Sequence, residues 1–199
     1  MRNPFRRRSP PPKRLLLFFD TETDGLPRGR TMPHLVSLAW RLTDNDGFLV
    51  SEGARLLRPE GFVIPFSATE IHGITQEQAL AEGTDGREAL EAFGADARQA
   101  DAYIAHNIAF DEGVLRAAAR RLGLPSPFRR FVRRVCTMKE STRFCALPAR
   151  AGAGFKYPRL GELYRILFSR ERRGAHDAAQ DVATLVACYF ALRKRKVLR

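Results

Sequence analysis

Cysteine is scarce in this chain of 199 residues: only Cys136, Cys145 and Cys188 occur, odd in number and without metal-type spacing. That usage argues against a disulfide framework or a cysteine metal site, and points to a reducing cytoplasm. Long apolar runs are also missing. The longest near the N-terminus, Leu15 to Phe19, is far too short to span a bilayer. The basic N-terminus is broken by Ser9-Pro10-Pro11-Pro12, and neither a long apolar segment nor a small-residue cleavage site follows. No signal peptide or membrane association is therefore expected. Acidic residues are absent from both ends. Residues 1–14 hold six Lys and Arg, residues 191–199 hold five, and together they account for eleven of the formal net charge of +12. Basic arms of this kind suit a polyanion such as nucleic acid, and equally suit solvated termini that aid solubility.

What is present fits one ordinary soluble domain with a sizeable core, at 44% hydrophobic residues. Residues 1–13 read as a disordered basic arm, residues 14–192 as the domain, and residues 193–199 as a basic tail. Strands are expected over 15–19, 35–42, 48–57, 102–105 and 131–136. Asp44-Asn45-Asp46-Gly47 marks a hairpin between the second and third. Helices are expected from Ser67 as cap through Ile71, from Thr75 through Ala81, and over 87–99, 110–122, 160–168 and 178–193. Neighbouring strands followed by alternating helices and strands predict an α/β fold, a mixed sheet covered by helices.

Three segments bear chemistry. In Phe18-Phe19-Asp20-Thr21-Glu22, an apolar strand runs into two carboxylates two residues apart. On a strand that spacing puts both on one face, where they repel unless a cation lies between them. Hard oxygen donors of this kind suit Mg²⁺ or Mn²⁺. In Ala105-His106-Asn107-Ile108-Ala109-Phe110-Asp111, a short strand passes into a helix. Asp111 would then lie at the carboxyl end of the sheet, where open α/β folds place their sites, or would simply favour the helix dipole. In His176-Asp177-Ala178-Ala179-Gln180-Asp181, the histidine stands at or just before a helix start and the acid in its first turns.

In order and spacing, Asp20-x-Glu22, His106-Asn107-x-x-Phe110-Asp111 and His176-x-x-x-x-Asp181 resemble the DEDD 3′→5′ exonucleases of the ribonuclease H-like superfamily. The resemblance is to their histidine branch, the group of the DnaQ-like and RNase T-like enzymes, since the tyrosine branch would need Tyr where Asp177 stands. It covers roughly residues 14–190. Ile71-His72-Gly73-Ile74-Thr75, Val135-Cys136-Thr137-Met138 and Lys156-Tyr157-Pro158-x-Leu160 also look like family segments.

The resemblance implies a ribonuclease H-like mixed sheet of about five strands, the first three antiparallel. It implies two divalent cations, with Asp20 bridging them, Glu22 and Asp181 on the one carrying the nucleophilic water, and Asp111 supporting the other. His176 would be the general base, a role suited to an imidazole of pKa ~6.5. Leu26 and Ile71 would wedge against the terminal base, Thr23 and His72 would contact the last nucleotide, and Asn107 and Phe110 would bind substrate beside them. The expected substrate is a single-stranded or frayed 3′ end, DNA before RNA. An RNA exonuclease of the same family and an inactive nucleic-acid-binding module are the alternatives. Lys156, Arg159 and Arg129, Arg130, Arg133 and Arg134 are further candidates for phosphate contact. The chain ends a few residues after its last predicted helix, which favours a stand-alone repair or processing nuclease over a proofreading subunit with a polymerase-binding extension. No protein partner is legible.

Overall fold

The structure, a computed structural model, describes residues 13–149, 152–171 and 177–198. Of the arm expected over residues 1–13, only Lys13 lies among them. Its ammonium is 2.5 Å from the Asp44 carboxylate and 5.1 Å from the centre of the Phe48 ring.

Five strands form one sheet: β1 (Leu15–Thr23), β2 (Leu35–Asp44), β3 (Leu49–Leu56), β4 (Ala102–Ala105) and β5 (Arg133–Cys136). Their order is β3-β2-β1-β4-β5. The first three are antiparallel, while β4 runs parallel to β1 and β5 parallel to β4. The helices are α1 (Phe66–His72), α2 (Gln76–Glu82), α3 (Gly86–Gln99), α4 (Ile108–Arg121), α5 (Thr137–Cys145), α6 (Leu160–Phe168) and α7 (Ala178–Lys194). This is the expected mixed α/β sheet covered by helices.

The period of two along β1 divides the interior in half. Leu17 and Phe19 enter one core with Leu38, Trp40, Phe93 of α3 and Leu115 of α4. Leu16 and Phe18 enter the other with Leu163 of α6 and Val182, Leu185 and Cys188 of α7. A strand covered on both faces must be apolar in every position, which is why Leu15 to Phe19 reads as an unbroken run. The first core is aromatic at its centre. Phe93 meets Phe19, Trp40 and Phe128 edge-on, with ring centres 5.6 Å, 5.7 Å and 5.6 Å away.

Several expected boundaries move for local reasons. β1 does not stop at Phe19. β2 pairs with it through Thr23, so Asp20 and Glu22 are strand residues. α1 starts behind Pro65 rather than Ser67, because proline's fixed φ, here −71°, sets the chain for helix entry. α2 begins as expected, with Thr75 Oγ1 accepting from the Gln78 amide at 3.1 Å. β5 is shorter than 131–136, and Phe131 stands 91% exposed before it. α5 was not anticipated, since no cap residue precedes it and Cys136 makes no side-chain cap bond. The basic C-terminal stretch begins as the last turn of α7. The chain then turns back so that Leu198 is buried in the second core.

All three cysteines are free and buried, two in the second core and Cys136 in the first. No helix among the described residues is long and apolar enough to cross a membrane.

Phe93→Ala, which empties the centre of the aromatic cluster, is expected to cost ~3–5 kcal/mol of unfolding free energy in a urea titration.

Candidate active site

The two faces of β1 also sort the functional side chains. Asp20 and Glu22 share parity with Leu16 and Phe18, and so face the α6–α7 side. Asp181 meets them there from the first turn of α7. Asp177 caps that helix by accepting from the Ala179 amide at 3.0 Å, and its carbonyl accepts from the Asp181 amide at 2.8 Å. One carboxylate oxygen each from Asp20, Glu22 and Asp181 lie within 4.8 Å of one another. Asp181 is 9% exposed. Three anions crowded this closely at the end of a buried strand repel at neutral pH, and the repulsion is relieved by a cation among them. The donors are all hard oxygens, so the set fits Mg²⁺ or Mn²⁺.

Asp111 approaches from the other face. β4 pairs with β1 only as far as Phe18 opposite Ile104. Beyond that point the first turn of α4 replaces β4 along the edge of β1. The Thr21 amide and hydroxyl both donate to Asp111 Oδ1, at 3.1 Å and 2.8 Å. Thr21, one residue out of phase with Asp20 and Glu22, thus ties the fourth carboxylate to the strand that carries the first two. Asp111 stands outside the 4.8 Å group. Burial pushes its pKa up to about 7, against the opposing pull of the Thr21 hydrogen bonds.

The second motif's histidine has a role that sequence reading missed. His106 Nε2 lies 2.9 Å from the Pro158 carbonyl and Nδ1 lies 3.0 Å from Thr137 Oγ1. A carbonyl only accepts, so Nε2 carries the proton and Nδ1 accepts from the threonine. Burial lowers the pKa of this imidazole, although the bond to Pro158 pulls the other way. His106 therefore clamps the end of β4 to the start of α5 and to the segment before α6.

The expected nucleotide contacts are spread over neighbouring elements. Leu26 and Ile71 are 79% and 60% exposed, as a wedge requires. Gly73, at φ 75°, ends α1 in a left-handed turn that leaves Ile71 outward. His72, expected on the last nucleotide, is instead buried, and its Nδ1 accepts from the Ile74 amide at 3.1 Å. The Thr23 hydroxyl donates to the Gly25 carbonyl at 2.8 Å. Asn107 is exposed at the N-cap of α4, and Phe110 packs against the first core. His176 lies outside the described residues.

Three of the six basic candidates for phosphate contact are engaged within the protein as follows. Arg134 pairs with Glu112 at 3.0 Å, Lys156 with Glu162 at 2.5 Å, and Arg129 donates to the Ala100 carbonyl at 2.7 Å. Arg159 instead lines a cleft that includes Asp181.

A mixed sheet whose central strand carries paired acids, met by an acid from the last helix and flanked by one from a crossover helix, defines a ribonuclease H-like domain with a carboxylate cluster whose donors fit a hard cation. The model of the exonuclease family (RNase T) matches residues 17–189, and the chain belongs to that family, the DEDD-type 3′→5′ exonuclease domains. Among solved structures, Escherichia coli exonuclease I in complex with a dA16 oligonucleotide is similar at a TM-score of 0.77 and 20% identity, over 92% of this chain and 42% of that one. Exonuclease I from Methylocaldum szegediense is similar at a TM-score of 0.74 and 21% identity, over 92% and 41%. The zinc-bound form of the E. coli exonuclease I complex with single-stranded DNA is similar at a TM-score of 0.76 and 20% identity, over 92% and 41%. At these identities the likeness is one of fold, and the chain spans less than half the length of these proteins. No curated protein matches the chain in sequence.

With a chelator present, unfolding free energy is expected to fall as pH rises from about 4 to about 7. In that window the unfolded Asp111 has lost its proton while the folded one retains it. Asp111→Asn should flatten the slope, and saturating Mg²⁺ should raise the melting temperature at neutral pH, both read by thermal denaturation.

Proposed function

We propose that this protein is a metal-dependent exonuclease that removes nucleotides from the 3′ end of single-stranded or frayed DNA, releasing nucleoside 5′-monophosphates. The observation that carries this reading is the convergence of Asp20, Glu22 and Asp181 within 4.8 Å in a chain of the exonuclease family. DNA is favoured over RNA because similar structures hold dA16 and dT13 oligonucleotides.

Two divalent cations, Mg²⁺ or Mn²⁺, bound here would neutralise the phosphodiester and acidify the attacking water. Asp20 would face both, Glu22 and Asp181 would hold one, and Asp111 would support the other. The remaining work belongs to the chain's own groups. Leu26 and Ile71 present apolar surface to the terminal base. Asn107 and Phe110, at the start of α4, lie beside Asp111 and hold the same nucleotide. His176 takes a proton from the attacking water as general base. The water oxygen bonds to phosphorus, the bond from phosphorus to the 3′ oxygen of the preceding nucleotide breaks, and that oxygen takes a proton from solvent to become the new 3′ hydroxyl. The terminal nucleotide departs with a 5′ phosphate.

The test is to incubate matched 5′-labelled single-stranded DNA and RNA with the protein in Mg²⁺ and in chelator. A ladder shortening from the 3′ end, faster on DNA, is expected in Mg²⁺ only. Asp20→Asn should reduce the rate by at least about 100-fold. Substantial activity in Asp20→Asn would refute the assignment, and faster RNA turnover would make the protein an exoribonuclease.

His176→Ala should separate base from ligand. It is expected to slow the reaction by about 100-fold or more while keeping the rise in melting temperature on adding Mg²⁺. Loss of that rise would show that His176 serves the cation site instead.

A further inference from the structure

A cleft of ≈ 750 Å³ opens at Asp181, lined also by His106 and by the segment Tyr157, Pro158 and Arg159 with Arg165. Its size lies within the roughly 300–1,000 Å³ of ligand-binding clefts. The segment 156–159 is built rather than loose. Pro158 is held through its carbonyl by His106, Lys156 is paired to Glu162, and the Arg159 amide donates to the same Glu162 carboxylate at 2.8 Å. Held this way, the segment presents an aromatic ring, Tyr157, 58% exposed, next to an exposed arginine. Arg165 lies 3.6 Å from Glu171, in a pair whose side chains are 55% and 79% exposed. Exposed pairs contribute little, so exchanging Glu171 for a phosphate costs little.

The polarity of the site gives this cleft an occupant. The residues read as holding the terminal nucleotide lie elsewhere: Leu26 on the β1–β2 connection, Ile71 on α1, and Phe110 packed against the α3–α4 core. None of those three lines the cleft, whereas Asp181 does. A strand whose last base rests on Leu26, Ile71 and Phe110 passes the carboxylates at its scissile phosphate and leaves on the far side. We propose that the cleft is the track for the nucleotides immediately 5′ of the scissile bond, with Arg159 and Arg165 on their phosphates and the Tyr157 ring against a base. This rests on the exonuclease reading above. A ring with cations beside it is the chemistry that binds single strands without regard to sequence.

The experiment compares steady-state turnover of a dinucleotide and of a longer single-stranded DNA in Mg²⁺, for wild type and for Arg159→Gln, Arg165→Gln, Tyr157→Ala and Glu171→Gln. The first three are expected to raise KM for the longer strand by about 10-fold each. The preference for the longer strand over the dinucleotide should fall by the same factor. Each arginine variant should also lower the salt dependence of KM by about one phosphate contact. Glu171→Gln should act in reverse and lower KM, which a variant that merely damages the fold would not do. An unchanged length preference, or an effect confined to product inhibition by a nucleoside 5′-monophosphate, would overturn the track. A wild type that shortens neither strand defeats the exonuclease reading itself, and is distinguished from failure of the track by that control.

Discussion

β1 is covered on both faces, so every side chain along it has a fixed destination. Leu16 and Phe18 go to the α6–α7 core, and Leu17 and Phe19 to the α3–α4 core. The same alternation continues past the apolar run and assigns Asp20 and Glu22 to one side and Thr21 to the other. A slip of one residue in the pairing with β2 would send both acids toward α4 and the threonine toward α7. The apolar residues hold that register, because such a slip would also exchange the two cores. Placement of the carboxylates is thus enforced by packing some distance from them.

The arrangement carries an electrostatic cost that packing alone does not relieve. Asp20, Glu22 and Asp181 share a space of less than 5 Å, and burial favours the neutral form of Asp111. Thr21 offsets part of this by giving Asp111 two donors. The rest is strain of the kind that a bound cation removes, and it explains why four acids persist where apolar side chains would pack more stably. Binding strength and native-state instability have the same source here, so a variant that relaxes one is expected to weaken the other.

Much of this was legible before the structure. The i, i+2 spacing after an apolar run put Asp20 and Glu22 on one strand face, and the resemblance of the three motifs to the DEDD exonucleases, not their periodicity, implied that Asp181 meets them. The five strands and the helices α2, α3, α4, α6 and α7 followed from apolar periodicity and turn residues. What escaped was whatever depends on partners distant in sequence. Nothing local says that β1 extends through Thr23, since its last residues look like loop and are held by β2. Thr21 had no visible role without Asp111, ninety residues on. α5 lacks a cap and was invisible. His106 was noticed as part of a motif, but its clamp on Pro158 needs the fold to bring residues fifty-two apart together.

Charge shows the same limit most sharply. Counting assigns the chain eleven excess positive charges at its ends and a nearly neutral middle, which points away from the domain as the binding surface. In the fold, the cations of the middle divide by use. Arg116 and Arg134 converge on Glu112, Arg121 donates to the carbonyls of Met32 and Pro33, and Arg129 holds Ala100. These are internal fasteners, and two of them brace α4, the helix that carries Asp111. Part of the basic C-terminal end is also used internally, with Arg193 over the Tyr189 and Phe190 rings and Arg195 donating to the Leu167 carbonyl at 2.9 Å. A near-zero net charge in the middle therefore conceals a sorting. Arginines with buried or part-buried backbone and carboxylate partners stabilise the frame around the site, and Arg159 and Arg165, the latter only in an exposed pair with Glu171, line the cleft beside Asp181. Charge that lines a concave surface next to low-dielectric walls is focused there, whatever the net charge of the chain.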